Sequence, residues 1–471
     1  MNVLLLSPPY LPHYMRNARC DFVSLSGTQW FPIWLGYCGA LLEKNGHDVR
    51  LVDAPAAGLS KPEVEGIVRS FKPDLLVVYT GRMSEANDTA FADRLLEGRD
   101  CPAVLVGPYF SADPARTFGL TRRVGYGVTG EFEYPVLEFL QGKPPEEIAN
   151  FLVRKDGSVQ ANPVRPALGT RELDGFPFVS DFFRRHLDFG NYRAPSEPHP
   201  FVDTLAGRGC AWGLCTFCLW VHTFIKGRTY IGRSVGSVLE EFSWIERKMP
   251  SVRSVMIQDD TFPEERAAAF SEAKIRAGVK LRWSCYARAE LGLETLRLMK
   301  SAGCLNLHVG FESGDDRILR AVRKGLTKER MTRFMEDARK ARLRVHGDFA
   351  IGFPGETKDS VRTTVAWALR LRPYTAQFQL MIPYPGTPFH KEIEKHGWLS
   401  NGMPDYPRLS GREMERLAKK AYLRFYLNPR SLARVLRHPG EFLSSRIGTY
   451  KEAIASILWR KWTIAAPPRD R

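Results

Sequence analysis

"CAWGLCTFC", Cys210–Cys218, sets three thiols within nine residues, the last two as a C-x-x-C pair. Trp212, Phe217 and Trp220 lie among them and just beyond. Four chemistries compete for such a cluster. A structural zinc site takes four ligands, usually from two C-x-x-C knuckles, and the chain has no second knuckle. A redox pair needs one C-x-x-C and leaves Cys210 without a task. Buried thiols can also be inert small hydrophobes. An iron–sulfur cluster normally takes four thiolates. Three would leave one iron open to a substrate or cofactor, which is a reason for the number three.

Outward from the cluster, residues 201–390 alternate strand and helix signals. Apolar runs at 202–206, 252–258, 281–286, 305–311, 344–351 and 376–382 predict strands. Most neighbours are separated by a helical pattern. In "SVGSVLEEFSWIERK" Ser234 can cap a helix whose apolar face is Val235, Val238, Leu239, Phe242 and Ile245. "LETLRLMKSAG" closes at Gly303. Six strands with right-handed helical crossovers can curl into a partial parallel barrel.

At this point the sequence resembles the radical S-adenosylmethionine (SAM) enzymes, over roughly residues 200–390. "RGCAWGLCTFC" resembles the family's cluster loop after the first barrel strand. Phe217 matches the aromatic residue that packs by the SAM adenine. "QDDTF" (258–262) falls where the second strand ends, with Asp259 a SAM-site candidate. "WSCYARAE" (283–290) resembles the third-strand segment, whose arginine, here Arg288, approaches SAM. "HVGFESGDDRILRAVRKG" (308–325) resembles the fourth, with Glu312; "DFAIGFPGET" (348–357) and "MIPYPGTPFH" (381–390) resemble the fifth and sixth. The cysteine spacing departs from the family's C-x3-C-x2-C: here it is C-x4-C-x2-C, so an irregular loop must absorb one extra residue. His308 reads as a packed barrel residue, and Cys285 and Cys304 as core thiols.

Residues 1–150 show the same alternation with shorter strands. "NVLLLSPP" stops at prolines, "IWLGYCGALLEKNG" is helical from Ile33 to Lys44, and "HDVRLVDA" is the next strand. Further apolar runs lie at 74–81, 101–109 and 124–133. This predicts a doubly wound parallel sheet, whose ligands bind beyond the carboxyl ends of its strands. Those ends carry Ser7, Pro8, Asp53, Thr80, Gly107, Gly130 and Glu131. "WFPIWLGYCGALLEKNGHDVRLVDA" and "VTGEFEYPVLEFL" resemble the cobalamin-binding domain that precedes many radical SAM enzymes. The D-x-H-x-x-G motif is absent, so the resemblance implies base-off cobalamin with no axial histidine; His47 reads as a strand-start residue. Recurrent prolines make 151–200 a linker, the barrel runs over 201–395, and 396–471 reads as helical and basic.

Together these imply an α/β protein in which a [4Fe–4S] cluster is held by Cys210, Cys215 and Cys218. SAM would lie near Phe217, Asp259, Arg288 and Glu312. Cobalamin would lie at Ser7, Pro8, Thr80, Gly107, Gly130 and Glu131. The implied reaction is reductive SAM cleavage to a 5′-deoxyadenosyl radical, then methylation of an unactivated carbon. Rearrangement or cyclisation without methyl transfer stays open, because "CTFCLW" and "WFPIWLGY" weakly resemble a group tied to hopanoid lipid biosynthesis. A non-catalytic metal-binding sensor is the reading from another class. The resemblance implies an electron donor such as flavodoxin or ferredoxin and a small-molecule or lipid substrate.

The bulk numbers fit. The chain has 471 residues, 44% hydrophobic and 25% charged, as in soluble globular proteins. No apolar run approaches the roughly 18 residues of a membrane span. "MNVLLLSPPY" reads as a strand and not a signal peptide, so a cytoplasmic, thiol-reducing location is expected. The net charge is +16, and residues 401–471 hold 15 Lys and Arg against six Asp and Glu. That tail, with Trp459 and Trp462 in "ILWRKW", suits either a solvated helical face or peripheral contact with anionic lipid. No nucleic-acid partner is expected.

Overall fold

The structure is a computed structural model and describes residues 1–16, 22–23, 28–155 and 157–429. The chain divides into two compact units, parting at Arg193 and Ala194, with Leu219–Lys226 grouped with the first.

The first unit is built on β1 (Asn2–Ser7), α1 (Ile33–Lys44), β2 (Asp48–Asp53), α2 (Lys61–Phe71), β3 (Leu75–Tyr79), α3 (Glu85–Leu95), β4 (Ala103–Val106), β5 (Tyr126–Val128) and α4 (Glu133–Leu140). Strand order is β2-β1-β3-β4-β5, all parallel. Helices cover both faces, so the strands are apolar runs and not alternating ones. Leu4, Leu6, Val52, Leu76, Val78 and Leu105 meet Phe91 and Phe110 in one core. The order reverses between β1 and β3. That reversal opens a crevice at the carboxyl edge, where doubly wound sheets bind ligands.

Residues 151–161 differ from the linker expected. They form β6 (Phe151–Lys155) and β7 (Ser158–Ala161), which extend the sheet antiparallel beyond β5. The signal was there: in the sequence, Asp-Gly between the short runs "FLVRK" and "SVQA" is a hairpin cue. A further helix, α5 (Val179–His186), buries Phe182 and Phe183.

The second unit carries six parallel strands in sequential order: β8 (Phe201–Thr204), β11 (Ser254–Ile257), β12 (Arg282–Ala287), β13 (Cys304–Glu312), β14 (Arg344–Ile351) and β15 (Thr375–Leu380). Between β8 and β11 come the short pair β9 (Gly207–Gly209) and β10 (Tyr230–Gly232), then α6 (Val235–Lys248). The crossovers continue with α7 (Glu264–Arg276), α8 (Leu293–Ser301), α9 (Lys328–Lys340) and α10 (Lys358–Leu371). β8 and β15 do not pair, so the barrel is partial. Ser234 caps α6 as the sequence predicts, accepting from Ser237 N–H at 3.1 Å. Cys285 and Cys304 are buried.

The free edge of β15 is covered by α11 (Gly411–Tyr426). The Tyr426 hydroxyl accepts from Ala376 N–H at 3.0 Å and donates to Ala376 C=O at 2.8 Å. This satisfies one residue of an otherwise open strand. Trp459, Trp462 and most of the basic tail lie outside the described residues. Among the described residues no helix is long and apolar enough to cross a membrane.

Candidate functional site

β9 and β10 hold the two ends of the cysteine segment, and "QDDTF" holds β9 and β10. Asp259 accepts from Ala206 N–H and from the Tyr230 hydroxyl, both at 2.7 Å. Asp260 accepts from Gly209 N–H at 2.8 Å, one residue before Cys210. Asp259 is fully buried, and that burial pushes its carboxyl up to about 6. The structure therefore gives it a supporting place under the loop, with both oxygens engaged by protein.

The loop itself is irregular and pinned at several points. Thr216 N–H donates to Val322 C=O at 3.0 Å, and Phe389 N–H donates to Thr216 C=O at 3.1 Å. The Trp212 indole donates to Arg323 C=O at 2.8 Å. Its ring lies on Gly325, where an added Cβ would fall 2.0 Å from Cζ2. Gly213 takes φ +57°, and a Cβ there would meet the Arg228 backbone at 2.7 Å. This left-handed turn falls inside the four-residue spacer between Cys210 and Cys215, where the extra residue has to be taken up.

The three thiols are half-buried and form no disulfide. Two cations act on Cys215. Burial raises its thiol, while Lys324 and Arg288 lower it. Lys324 Nζ donates to Glu312 Oε1 at 2.8 Å, and both side chains are buried. Arg288 donates to Lys324 C=O at 3.0 Å and to Glu290 at 2.9 Å, and its guanidinium lies 5.0 Å from the Trp212 ring centre. Arg288 and Glu312 thus converge on one place, joined by Lys324. Glu312 holds φ +62°, and the ladder shifts register between Gly310 and Glu312. Such backbone strain in a non-glycine residue concentrates at functional sites.

Phe217 lies 5.1 Å, ring to ring, from Phe353 in "GFPGET". Glu356 fixes that turn by accepting from Gly352 N–H (2.7 Å) and Phe353 N–H (3.1 Å). Among the described residues no three His, Cys, Asp or Glu side chains close around a single ion. A cluster does not require that closure, because each thiolate bonds a different iron. The donor set fits a cluster: three thiols on one pinned loop beside two cations.

In the first unit, the carboxyl edge gathers Ser7, Pro8, Thr80, Gly107, Gly130 and Glu131. The Thr80 hydroxyl, at the end of β3, is buried without a partner within hydrogen-bond distance. Gly107 takes φ +118° beside it, where a Cβ would lie 3.1 Å from Thr80 C=O. Glu131 accepts from Leu168 N–H at 3.2 Å. An orphaned hydroxyl and a bare glycine at the switch point fit a bound ligand. Arg16 and Asp88 form a fully buried two-pronged pair at 2.9 and 2.6 Å, and Arg16 also donates to Ser7 at 3.3 Å. His47 precedes β2, at the opposite end of the strands from that edge.

Sequence reasoning missed Lys324, Arg16 and Asp88. "RKG", which closes the fourth-strand segment, carried the only local sign of Lys324. Nothing local marked a pair 72 residues apart.

An open parallel barrel with a three-cysteine loop at its first strand defines a radical SAM enzyme. Residues 204–368 match the radical SAM superfamily, and residues 20–140 match the B12 binding domain. The chain thus carries the two domains of a cobalamin-binding radical SAM enzyme, with cobalamin, SAM and a [4Fe–4S] cluster as its cofactors. It is 27% identical to an uncharacterized methyltransferase of Pyrococcus horikoshii, over 95% of this chain and 97% of that one. Two solved structures share the fold. The radical SAM methyltransferase TsrM of Kitasatospora setae, with cobalamin and a [4Fe–4S] cluster bound, has TM-score 0.64 and 19% identity, covering 86% of this chain and 79% of that one. The cobalamin-dependent radical enzyme OxsB has TM-score 0.71 and 14% identity, covering 98% and 74%.

Proposed function

We propose that the chain is a methyltransferase that uses SAM and cobalamin to methylate an unactivated carbon of a small molecule. The observation that carries this is a pinned three-cysteine loop in a chain similar end to end to a methyltransferase. Cys210, Cys215 and Cys218 are the residues that would hold the cluster. Arg288, Glu312 and Lys324 would orient the charged end of SAM, and the Phe217–Phe353 pair would flank its base. Ser7, Pro8, Thr80, Gly107, Gly130 and Glu131 would take the cobalamin. Bound together, these cofactors supply hydrogen abstraction from carbon and a transferable methyl group; the protein supplies orientation and exclusion of water. A small reductant protein, flavodoxin or ferredoxin, would deliver the electron.

The test is anaerobic loading with iron, sulfide and cobalamin, then incubation with methyl-deuterated SAM, reductant and a metabolite extract. A product carrying the deuterated methyl group is expected. A cyclised or rearranged product without label would establish the other reading.

A further inference from the structure

From Arg317 to Arg330 the chain carries six Lys and Arg against one carboxylate, Glu329. Glu329 lies 3.4 Å from Arg333, Arg317 lies 3.3 Å from Asp315, and Lys324 is buried against Glu312. Arg320 and Arg323 are exposed and have no ion-pair partner among the described residues.

This stretch borders the cysteine loop. Val322 C=O accepts from Thr216 N–H at 3.0 Å, and Arg323 C=O accepts from the Trp212 indole at 2.8 Å. On the other flank of Trp212, Arg228 Nε donates to its C=O at 3.0 Å. Arg228 is also exposed and without an ion-pair partner among the described residues. The carboxylates beside the loop are engaged: Glu290 by Arg288, Asp260 by Gly209 N–H, and Asp316 by Lys328 N–H at 2.7 Å. The helix Pro388–Lys395, tied to Thr216 through Phe389, balances two lysines with two glutamates. The net charge of this rim is therefore that of the three arginines.

The loop beneath is shallow. The Trp212 ring lies against Gly325, which is exposed, and 5.0 Å from the Arg288 guanidinium. Arg288 in turn acts on Cys215. A short chain of contacts thus joins the thiols to the surface that carries the arginines.

We infer that Arg228, Arg320 and Arg323 form the docking rim for an acidic one-electron donor protein, which meets the surface over Trp212. The inference rests on the electron delivery proposed above and names where it occurs. One electron leaves the donor's reduced flavin or iron–sulfur centre and enters the cluster; no bond forms or breaks and no proton moves. Electron transfer weakens steeply with distance, so the donor must approach the face nearest the thiols. Redox encounters are small, under about 1,200 Å² in total, and rim charges chiefly set their rate of association. Exposed guanidiniums with no carboxylate of their own suit that use, because they can take a partner's carboxylates in two-pronged contacts.

The test measures reduction of the cluster in the loaded full chain, by bleaching of its visible band, with SAM and substrate left out. Failure of methyl transfer therefore does not affect it. Reduced flavodoxin is the donor in one arm and dithionite in the other. Arg320→Glu/Arg323→Glu reverses two rim charges whose side chains make no hydrogen bond among the described residues. Arg247→Glu/Arg276→Glu, at the ends of α6 and α7, makes the same change in net charge at the opposite end of the strands. At low salt flavodoxin should reduce the rim variant about tenfold more slowly than wild type. It should reduce the control variant at close to the wild-type rate, and dithionite should treat all three alike. The deficit should vanish near about 1 M salt, where the screening length is roughly 3 Å. Calorimetry should show oxidised flavodoxin binding the unloaded wild-type chain more tightly than the unloaded rim variant. No reduction by flavodoxin where dithionite succeeds, wild-type rates in the rim variant, equal slowing in the control, or a matching loss with dithionite would overturn the inference. So would binding to anionic vesicles that depends on the rim while flavodoxin does not bind, which would make the rim a lipid contact. Absence of any band for dithionite to bleach would sink the cluster reading instead, and calorimetry on the unloaded chain would still decide the rim.

Discussion

Lys324 Nζ lies 2.8 Å from Glu312 Oε1, with both side chains under a tenth exposed and both charges acting on Cys215. A buried ion pair is weak support for stability as a pair, but removing one member strands the other. Lys324→Met should therefore destabilise the second unit by about 3–5 kcal/mol, read from urea melts of the unloaded chain. Glu312→Gln, which keeps a hydrogen-bond acceptor for Lys324, should cost less. Equal effects of the two would show that charge does not govern this contact.

The same loop gives a steric prediction. Gly325→Ala places a Cβ where the Trp212 indole now lies. The ring must leave, breaking its bond to Arg323 C=O and exposing Arg288. Trp212 carries one of several indoles, so the comparison is with Trp212→Phe in the same background. Tryptophan emission should shift to the red in Gly325→Ala and lose that component when both substitutions are present. Iron retained after desalting should fall below the wild-type value of about four per chain. Wild-type emission and iron content would contradict the packing described.

Much of this was readable locally. The bounds of α1 follow from an apolar run ended by Asn45-Gly46, and the six barrel strands from runs of the right length between helical patterns. The cysteines announce themselves by spacing. What stayed hidden depends on partners far along the chain. Asp259 looks like a ligand until Ala206 N–H and Tyr230 take its oxygens, and Arg16 and Asp88 have no local pattern at all. The β6–β7 hairpin was obscured for a different reason: prolines on its far side dominated the composition of 151–200, and its strands are only five and four residues long.

Glu356 offers a pH test. Burial raises its carboxyl to about 7 in the fold, against 4.5 for the free group. The folded state thus holds a proton that the unfolded state releases first. Its contribution is full below pH 4.5 and is lost as pH rises through 7. Glu356→Gln keeps an oxygen to accept from Gly352 and Phe353 N–H and never ionises. Relative to wild type it should gain on the order of 1–3 kcal/mol between pH 5 and pH 8, measured by urea melts at the two values. A constant difference would mean that Glu356 stays ionised or that another group sets the slope.

The switch-point edge predicts how cobalamin sits. Its candidate residues all lie at or just beyond the carboxyl ends of strands, while His47 precedes β2 at the other end. An imidazole there cannot reach a ligand held in the crevice beside Thr80. Titrating hydroxocobalamin into the full chain should give a base-off spectrum, and His47→Ala should leave both spectrum and affinity unchanged. Gly107→Leu, which must place a branched side chain beside Thr80 C=O from a left-handed backbone, should weaken binding at least tenfold. Its melting temperature should be checked in parallel, because the same strain lowers stability. Loss of the base-off spectrum on removing His47 would move the cofactor to the opposite edge and overturn the assignment of all six residues there.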